Sequence, residues 1–399
     1  MNHILSMLKK RRRHISFHTP GHKVGKWDIT ELSFSDNLAN PTGVLKRAED
    51  DITACLKSRR SFLLTDGSTS GVLSMLYACK PKRLFMPRES HKSAYNGCKL
   101  MGITPILWEG EWKEGLPSLA KREDVEQVID QIDAVFLTSP DYYGRIPDLK
   151  GISSLCKEHG LPLLIDGAHG SHLRGTPLYA GEYADYWVDG VHKSLPALTQ
   201  GAVVSTNSDE AALKEAVDIF RTTSPSYPIM ASVEYAIKAK PNEKVRSYAK
   251  KLAKAYGIAN DDWTKLVVPF GKAAFSAQIW LEEHNIYPEF CDGNYIAFYL
   301  SDCNKLRELK RLEKALKRLG VGRATEAIPH EKGEKSDEVE LVSYREAIGR
   351  TVAGEVGLFP PCIPLLSDGE ILKKEDAERL ERAENTFGTE DGKVYVYKR

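Results

Sequence analysis

The chain of 399 residues is longer than one hydrophobic core usually supports, so two domains are expected. Its 56 Lys and Arg residues are balanced by 55 Asp and Glu residues, which excludes a general polyanion binder. The sequence contains one basic run, KKRRRH, at residues 9–14. If this run had a binding function, it would contact nucleic acid or lipid. Because the rest of the chain is neutral, we predict a solvated helix end or arm there instead.

Cysteine usage and hydropathy predict a soluble protein of a reducing cytoplasm. Seven scattered cysteines form no CxxC pair, which argues against a disulfide framework and a structural zinc site. The start of the chain lacks the apolar stretch of a signal peptide, and no segment reaches the roughly 18–20 apolar residues of a membrane span. We therefore expect no metal, no membrane partner and no nucleic-acid partner.

Short apolar runs alternate with amphipathic segments through the first half of the chain. Strands are predicted at residues 61–64, 83–86, 104–108, 134–138, 161–165, 186–188 and 202–205. Helices are predicted at residues 72–79 and 149–159. This alternation predicts an α/β fold with a mostly parallel sheet and helices on both faces.

The second half of the chain has a different pattern. A helical stretch at 228–256 is followed by predicted strands at 287–290 and 295–300, an amphipathic helix at 305–319 and exposed charged turns at 329–337. The predicted organisation is an N-terminal arm at 1–30, a large domain at 31–225, a helical linker at 226–265 and a small C-terminal α+β domain at 266–399.

Three predicted strand ends carry groups suited to chemistry, and such ends meet at one edge of an open α/β sheet. The first, TDGSTSG at residues 65–71, precedes a helix. Small residues, hydroxyl groups and a helix N-terminus together suit the binding of a phosphate. Ordinary N-capping would use the same residue types, so this segment alone is weak evidence.

The other two strand ends offer an acid and an amine. Asp166, in DGAHG at 166–170, needs a partner if it is buried, such as a protonated pyridine nitrogen, unless it only caps a turn. The spacing of His169 and His172 permits a metal interpretation, but no carboxylate–histidine motif supports it. Lys193, which lies between an apolar strand and the apolar residues 196–198, suits imine chemistry. The order of phosphate turn, Asp and Lys fits the layout of fold-type I pyridoxal-phosphate enzymes.

Many short motifs in register resemble the group III decarboxylases of ornithine, lysine and arginine. They are FHTPGHKVG (17–25), DITEL (28–32), DNL (36–38), PTG (41–43), RESHKS (88–93), PDYYG (140–144), DGAHG (166–170), HKSLPALTQ (192–200), TSPSY (223–227) and PPCIP (360–364). The resemblance covers most of the chain. It implies a fold-type I large domain that binds pyridoxal phosphate, with a smaller C-terminal α+β domain.

The resemblance also implies roles for individual residues. Lys193 is expected to hold the cofactor as a Schiff base and to exchange a proton at the substrate α-carbon. Asp166 is expected to pair with the pyridine nitrogen, and His91 to stack on the ring. The further implied cofactor contacts are Ala168 and His169 near the ring, and Gly67, Ser68, Thr69 and His192 at the phosphate.

The implied reaction is decarboxylation of arginine, lysine or ornithine to a polyamine-pathway amine. An aminotransferase would instead hold the substrate carboxylate with an arginine. Arg345 and Arg350 are candidates, but the family carries the same segment, so we interpret both as structural or at the subunit contact. We expect a homodimer or higher homo-oligomer with the active site at the interface, crossed by residues 18–23 and 224–227, unless these are only turns and arms.

Several positions depart from the family pattern. Asp189 and Gly190 replace a Gln-Ser pair whose serine binds the cofactor phosphate, Asp141 replaces a common threonine, and Cys362 replaces a usual glycine. The chain resembles a short form of the family without the amino-terminal receiver-like domain. Two alternatives therefore stay open: another pyridoxal-phosphate reaction at the α-carbon, such as transamination or elimination, and a non-catalytic paralogue that acts as a partner or regulator.

Overall fold

The structure, a computed structural model, describes residues 2–10, 15–23, 27–320, 330–358, 364–383 and 385–398. Parts of four sequence features lie outside these ranges: residues 11–14 of the basic run, residues 24–25 of the first family motif, residue 329 of the predicted charged turns, and residues 360–363 with Cys362. In the described ranges, no helix is long and apolar enough to cross a membrane.

A seven-stranded sheet forms the centre of the large domain. Its strands are β1 (Arg60–Leu64), β2 (Arg83–Pro87), β3 (Thr104–Trp108), β6 (Ala134–Thr138), β7 (Leu163–Gly167), β8 (Tyr186–Asp189) and β9 (Ala202–Thr206), while β4 (Trp112–Lys113) and β5 (Leu116–Pro117) form a separate hairpin. The strand order is β1-β9-β8-β7-β6-β2-β3. The two antiparallel pairs in this sheet both involve β9 and the other four pairs are parallel, so the predicted mostly parallel α/β sheet is confirmed.

Helices cover both faces of this sheet. They are α1 (His3–Lys10), α2 (Val44–Leu56), α3 (Gly67–Cys79), α4 (Lys92–Met101), α5 (Arg122–Glu126), α6 (Leu149–His159), α7 (Val191–Ser194), α8 (Glu210–Phe220) and α9 (Tyr227–Ile237). Successive strand residues point to opposite faces, so Phe62 and Leu64 pack with α3, α4 and α8, whereas Leu63 packs with α1, α2, α6 and α9.

The predicted start of α3 was wrong. The helix begins at Gly67 rather than residue 72, so residues 67–71 form its first turns. The small polar residues of that segment hid the helical period. The correction places the hydroxyls of Ser68 and Thr69 at the N-terminus of a 13-residue helix, where backbone N–H groups have no intrahelical acceptor.

The second half forms two further units with separate hydrophobic cores. The first contains α10 (Glu243–Tyr256), β10 (Lys265–Pro269), α11 (Ala274–Glu283), β11 (Phe290–Cys291), β12 (Tyr295–Tyr299) and α12 (Leu306–Leu319). The second contains β13 (Val339–Ser343), β14 (Val356–Leu358), β15 (Pro364–Leu366), α13 (Lys374–Arg382), β16 (Thr386–Phe387), β17 (Thr389–Glu390) and β18 (Lys393–Tyr397). Their three-stranded sheets are antiparallel, with orders β10-β12-β11, β13-β18-β17 and β15-β14-β16.

Two predictions in this half need correction. The helical stretch at 228–256 is interrupted between Ile237 and Glu243, because Pro241 cannot donate within a helix and the Asn242 side chain caps α10. The strand predicted at 287–290 forms at Phe290–Cys291 instead. The helix α9 packs into the core of the large domain, and α10 packs against β10.

Candidate active site

A cavity of about 360 Å³ opens where the carboxyl ends of β6 and β7 meet the N-terminus of α3. This volume is in the range of cofactor and substrate sites. All nine predicted site residues line it: Gly67, Ser68, Thr69, His91, Asp166, Ala168, His169, His192 and Lys193. The sequence assigned no role to the other lining residues, which are Ser93, Thr138, Tyr142, Thr199, Gln200 and Glu289.

Lys193 lies in the short helix α7, directly after β8. Its Nζ atom is 3.1 Å from Nε2 of His169. The rings of Tyr142 and Tyr299 contact His169 with centroid distances of 5.1 Å and 5.3 Å. The amine is therefore held against an imidazole that is itself held by two aromatic rings.

Asp166 lies near the end of β7 and is almost fully buried. Its Oδ1 accepts a hydrogen bond from the Ala168 N–H at 3.0 Å. Burial raises the pKa of the Asp166 carboxyl, and the positive charge of Lys193 opposes this effect. A carboxylate in such a position is stabilised by a cationic partner, which a protonated pyridine nitrogen would provide.

His91 is the N-cap of α4, and its Nδ1 accepts a hydrogen bond from the Ser93 N–H at 3.1 Å. The neutral ring consequently carries its proton on Nε2. Burial, with a smaller effect of Lys193 and Lys92, lowers the pKa of His91 to about 4. A neutral, fixed imidazole in this cavity fits the predicted stacking on a cofactor ring.

The N-terminus of α3 provides a cradle for a phosphate. Gly67 has φ +75°, which favours glycine, and its N–H donates to the Gln200 carbonyl at 2.9 Å. The Ser68 Oγ is buried and has no hydrogen-bond partner among the described residues. A hydroxyl and helix N–H groups without partners fit the oxygens of a phosphate group.

The two departures before Lys193 have different structural consequences. A Cβ atom at Gly190 would lie 2.3 Å from the Ala168 carbonyl oxygen and 2.8 Å from the Ser68 Oγ, so this backbone leaves no room for a serine there. Asp189 does not line the cavity. It accepts hydrogen bonds from Tyr179 Oη at 2.6 Å and Trp187 Nε1 at 3.1 Å. The Ser68 hydroxyl therefore lies beside Gly190, the position where the family has a serine. The carboxylate of Asp189 points into the core.

Asp141 does not line the cofactor cavity either. Its carboxylate forms hydrogen bonds with the Arg145 guanidinium, with the Nε atom 2.8 Å from Oδ2. Arg345 and Arg350 also form pairs within the C-terminal unit, with Glu381 and Glu340 respectively. Both arginines therefore form ion pairs within this unit, which agrees with the structural role that was one of the two interpretations.

The second half of the chain adds three groups that motif spacing could not predict. Glu289 precedes β11 and lines the cavity, Tyr299 contacts His169, and Lys265 packs over the Tyr299 ring with Nζ 4.1 Å from its centroid. The side chain of Lys265 is fully buried and also lies 3.4 Å from Asp262. In the sequence, Lys265 and Glu289 are each a charged residue at the start of an apolar run. Such residues are common at strand ends and do not by themselves indicate a site.

The two segments expected at a subunit interface make some of their contacts within the chain. Tyr227 is fully buried, and its hydroxyl donates to the Asp36 carbonyl at 2.7 Å. His18 is exposed, and its Nδ1 is 2.6 Å from Thr30 Oγ1. The structure of one chain leaves the prediction of an interface at residues 18–23 open, and it assigns Tyr227 to the interior.

Comparison with known protein families gives a match to the Orn/Lys/Arg decarboxylase major domain over residues 26–261. The "Uncharacterized protein YaaO" of Bacillus subtilis is 28% identical, over 93% of this chain and 92% of that protein. An arginine decarboxylase of Halalkalibacterium halodurans is 26% identical, over 90% of this chain and 88% of the relative. The constitutive lysine decarboxylase of Escherichia coli is 27% identical over 52% of this chain.

Solved structures share the fold at low sequence identity. The Escherichia coli constitutive lysine decarboxylase covers 99% of this chain, and 81% of its own chain is matched, with a TM-score of 0.72 and 19% identity. Lysine decarboxylase A of Pseudomonas aeruginosa gives a TM-score of 0.77 at 16% identity, with 99% and 80% coverage. A serine palmitoyltransferase of Sphingomonas wittichii gives 0.57 at 16% identity, with 79% and 84% coverage.

The fold is that of the fold-type I pyridoxal-phosphate enzymes, and Lys193, Asp166 and the N-terminus of α3 line one cavity within it. The family match covers more than half of the chain. The chain belongs to the Orn/Lys/Arg decarboxylase family, whose members are pyridoxal-phosphate-dependent amino acid decarboxylases.

Proposed function

We propose that this enzyme decarboxylates a basic amino acid to the corresponding amine, with arginine as the first substrate to test. The single observation that carries the proposal is the cavity in which Lys193, Asp166, His91 and the α3 N-terminus converge beside one further acid, Glu289. Relatives that match nearly the whole chain are named arginine decarboxylases, which supports testing arginine first.

Each residue has a task that follows from its position. Pyridoxal phosphate, when bound, supplies an electron sink for the substrate α-carbon. Lys193 holds the cofactor and, once carbon dioxide has left, delivers a proton to the α-carbon. Asp166 pairs with the ring nitrogen, and His91 covers the ring and excludes water from that face. Ser68 and the first N–H groups of α3 hold the phosphate.

The charge of the cavity favours decarboxylation over transamination. No arginine is among the lining residues in the part of the chain that the structure describes. An aminotransferase uses an arginine to hold the substrate carboxylate. Without such an arginine, the substrate carboxylate is only weakly stabilised in the ground state. Tight ground-state binding therefore does not oppose the loss of carbon dioxide.

Glu289 is proposed to bind the positive end of the substrate. Among the described lining residues, Asp166 and Glu289 are the carboxylates, and Asp166 is committed to the cofactor. Burial raises the pKa of Glu289, and the charges of Lys193 and Lys265 oppose this effect. A guanidinium or ammonium group near Glu289 would stabilise its ionised form further.

The reaction is tested by measuring carbon dioxide and amine from arginine, lysine and ornithine. Lys193→Ala is expected to lower kcat at least about 100-fold, since it removes the cofactor anchor and proton donor, and to abolish the visible absorbance of the bound cofactor. Lys92→Ala, at an exposed neighbour of His91, is the matched control and should retain activity. Consumption of a keto acid without carbon dioxide release would instead identify a transaminase, and absent cofactor absorbance would identify a non-catalytic paralogue.

Substrate charge recognition is tested with Glu289→Gln, which keeps the shape of the side chain. We expect KM for the basic amino acid to rise roughly 10-fold or more, with a smaller change in kcat, because a charge-assisted contact is lost. Glu283→Gln, at an exposed position of α11, controls for the change in net charge. Equal KM values for the two variants would remove Glu289 from the proposed role.

We also infer that the enzyme works as a homodimer. In the N-terminal arm, Ile15 and Phe17 are almost completely exposed, with exposed fractions of 89% and 96%. Large apolar side chains exposed to this degree suit a subunit contact. Light scattering at assay concentration is expected to give the mass of a dimer, and a monomer with full activity would contradict this inference.

A further inference from the structure

A second pocket lies beside the cofactor cavity and shares Thr138 and Tyr142 with it. Its volume is about 70 Å³, room for roughly five water molecules. The walls are mostly apolar and come from the ends of β2, β3 and β6 and from the β4–β5 hairpin. Four aromatic side chains are among the lining residues: Trp108, Trp112, Tyr142 and Tyr143.

One carboxylate in this pocket has no counter-charge in hydrogen-bond contact. The Oε1 atom of Glu89 is buried and has no hydrogen-bond partner among the described residues. Burial raises the pKa of Glu89 to about 7; the positive charges of Arg88 and Arg145 oppose this effect, and the negative charge of Glu109 adds to it. An unpaired carboxylate in an apolar pocket is costly, so a ligand that supplies a positive charge would be favoured there.

The two arginines next to Glu89 already have ion-pair partners of their own. Asp141, which also lines the pocket, pairs with Arg145 at 2.6 Å. Arg88, next to Glu89 in the chain, pairs with Glu370 at 2.5 Å, and both side chains are buried. The pocket therefore keeps one negative charge in excess when Glu89 is ionised.

We propose that this pocket binds an organic cation, an alkylammonium or guanidinium group, with Glu89 as the counter-charge and the tryptophan and tyrosine rings as the walls. Aromatic faces and a carboxylate together are the usual surroundings of such cations. The apolar walls do not offer the six or more oxygen ligands of a Ca²⁺ site. An anion would be repelled by Glu89, and a neutral ligand would leave it unpaired.

The proposal rests on the proposed function for the source of the ligand. A basic amino acid carries such a cation on its side chain, and the amine product carries one as well. Thr138, in the wall shared by both cavities, has a buried Oγ1 without a hydrogen-bond partner among the described residues. The pocket thus either binds the free amine separately or, in place of Glu289, takes the side chain of the bound substrate.

Binding is measured by calorimetry on the cofactor-loaded enzyme with methylguanidinium chloride, and with methylurea as its neutral analogue. Methylguanidinium is expected to bind at least about tenfold more tightly to the wild-type enzyme than to Glu89→Gln, while methylurea shows no such difference. Trp112→Leu should weaken binding roughly two- to tenfold. Glu109→Gln, which removes a nearby exposed charge, is the matched control and should keep nearly the wild-type affinity. Equal binding to the wild type and Glu89→Gln, or equal binding of methylurea, would overturn the proposal.

Kinetics identify the source of the cation. If the pocket takes the substrate side chain, methylguanidinium competes with the substrate and Glu89→Gln raises KM. If it binds a free amine, inhibition by the amine product is noncompetitive and Glu89→Gln removes that inhibition alone. Both outcomes support the cation site. The binding measurement needs no turnover, so an enzyme that releases no carbon dioxide yet binds methylguanidinium through Glu89 would contradict the proposed function and leave this inference standing.

Discussion

Burial decides the behaviour of single residues in and around this active site. His91 and Lys193 both lie in the cavity, yet burial keeps the imidazole neutral while the amine stays in contact with His169. Neutral histidine and a held lysine amine are what the proposed stacking and proton transfer require. The same effect acts on Asp189, which has no direct role in the chemistry and so reports on stability alone.

Asp189→Asn is expected to stabilise the protein in a pH-dependent way. Burial raises the pKa of Asp189 to about 6 from 3.8, which corresponds to roughly 3 kcal/mol of unfolding free energy. Because the folded-state pKa is the higher one, the ionised carboxylate destabilises the fold fully above about pH 6, and the cost falls as the pH drops from about 6 towards 3.8. The asparagine oxygen still accepts from Tyr179 and Trp187, and Ser171 can accept from the new amide.

Urea unfolding at pH 8 and pH 5 measures this effect. The gain in unfolding free energy should be about 1–3 kcal/mol at pH 8 and clearly smaller at pH 5. Asp130→Asn, at an exposed position, is the control and should change the unfolding free energy by less than about 0.5 kcal/mol at both pH values. A gain of the same size at pH 5 and pH 8 would show that desolvation of the carboxylate is not the cause.

At the scale of elements, much of the site could be predicted because its groups follow the strands of one sheet. Asp166 lies near the end of β7, Lys193 follows β8, and the hydroxyls of Ser68 and Thr69 follow β1, so a local pattern locates each of them. The carboxyl ends of parallel strands meet at one edge, which brings these groups together.

Other contributions depend on contacts between elements far apart in the sequence. Glu289, just before β11, lines the cavity, and Tyr299 of β12 contacts His169. No periodicity or spacing encodes how that unit packs on the large domain. The helix α3 was predicted too short because its first turns lack an apolar residue. Lys265 resembled an ordinary strand-end lysine, since its burial follows from tertiary contacts with Gly144 and Tyr299.

The segment that carries His91 is tied to the C-terminal unit by a buried ion pair. Arg88 and Glu370 are each about 6% exposed at the side chain and lie 2.5 Å apart. Glu370→Ala would leave the guanidinium buried without its carboxylate, so we expect a loss of about 3–5 kcal/mol in unfolding free energy. The cofactor should also bind more weakly, because Arg88 lies three residues before His91 and its carbonyl accepts a hydrogen bond from Tyr95.

A double variant and a surface pair test this explanation. Arg88→Met with Glu370→Met removes both charges and should recover much of the stability lost in Glu370→Ala. Glu381→Ala breaks the exposed pair with Arg345 and should cost less than about 1 kcal/mol. A double variant as unstable as the single one would mean that packing, rather than the uncompensated charge, sets the cost.

At the scale of the whole molecule, a buried polar cluster joins the large domain to the β10–β12 unit. His172 Nε2 is 2.7 Å from Asp262 Oδ1, and Lys265 Nζ is 3.4 Å from Asp262 Oδ2; all three side chains are fully buried. Lys265 also packs over Tyr299, which contacts His169 in the cavity. The contact that joins the two units is therefore also a support of the active site.

Asp262→Asn should weaken both the junction and the site. The charge of Lys265 and the hydrogen bond with His172 hold the pKa of the Asp262 carboxyl below its usual range although burial acts in the opposite direction, so the aspartate is ionised at neutral pH. Its replacement leaves the Lys265 ammonium buried without a carboxylate, with an expected loss of about 3–5 kcal/mol in unfolding free energy. In calorimetry the β10–β12 unit should then unfold at a lower temperature than the large domain, and kcat should fall because Tyr299 no longer holds His169 firmly.

Adding Lys265→Met should restore much of the stability, whereas Asp133→Asn, at an exposed pair with Arg83, should have little effect. If Asp262→Asn melts like Asp133→Asn and keeps the wild-type kcat, this cluster does not couple the two units.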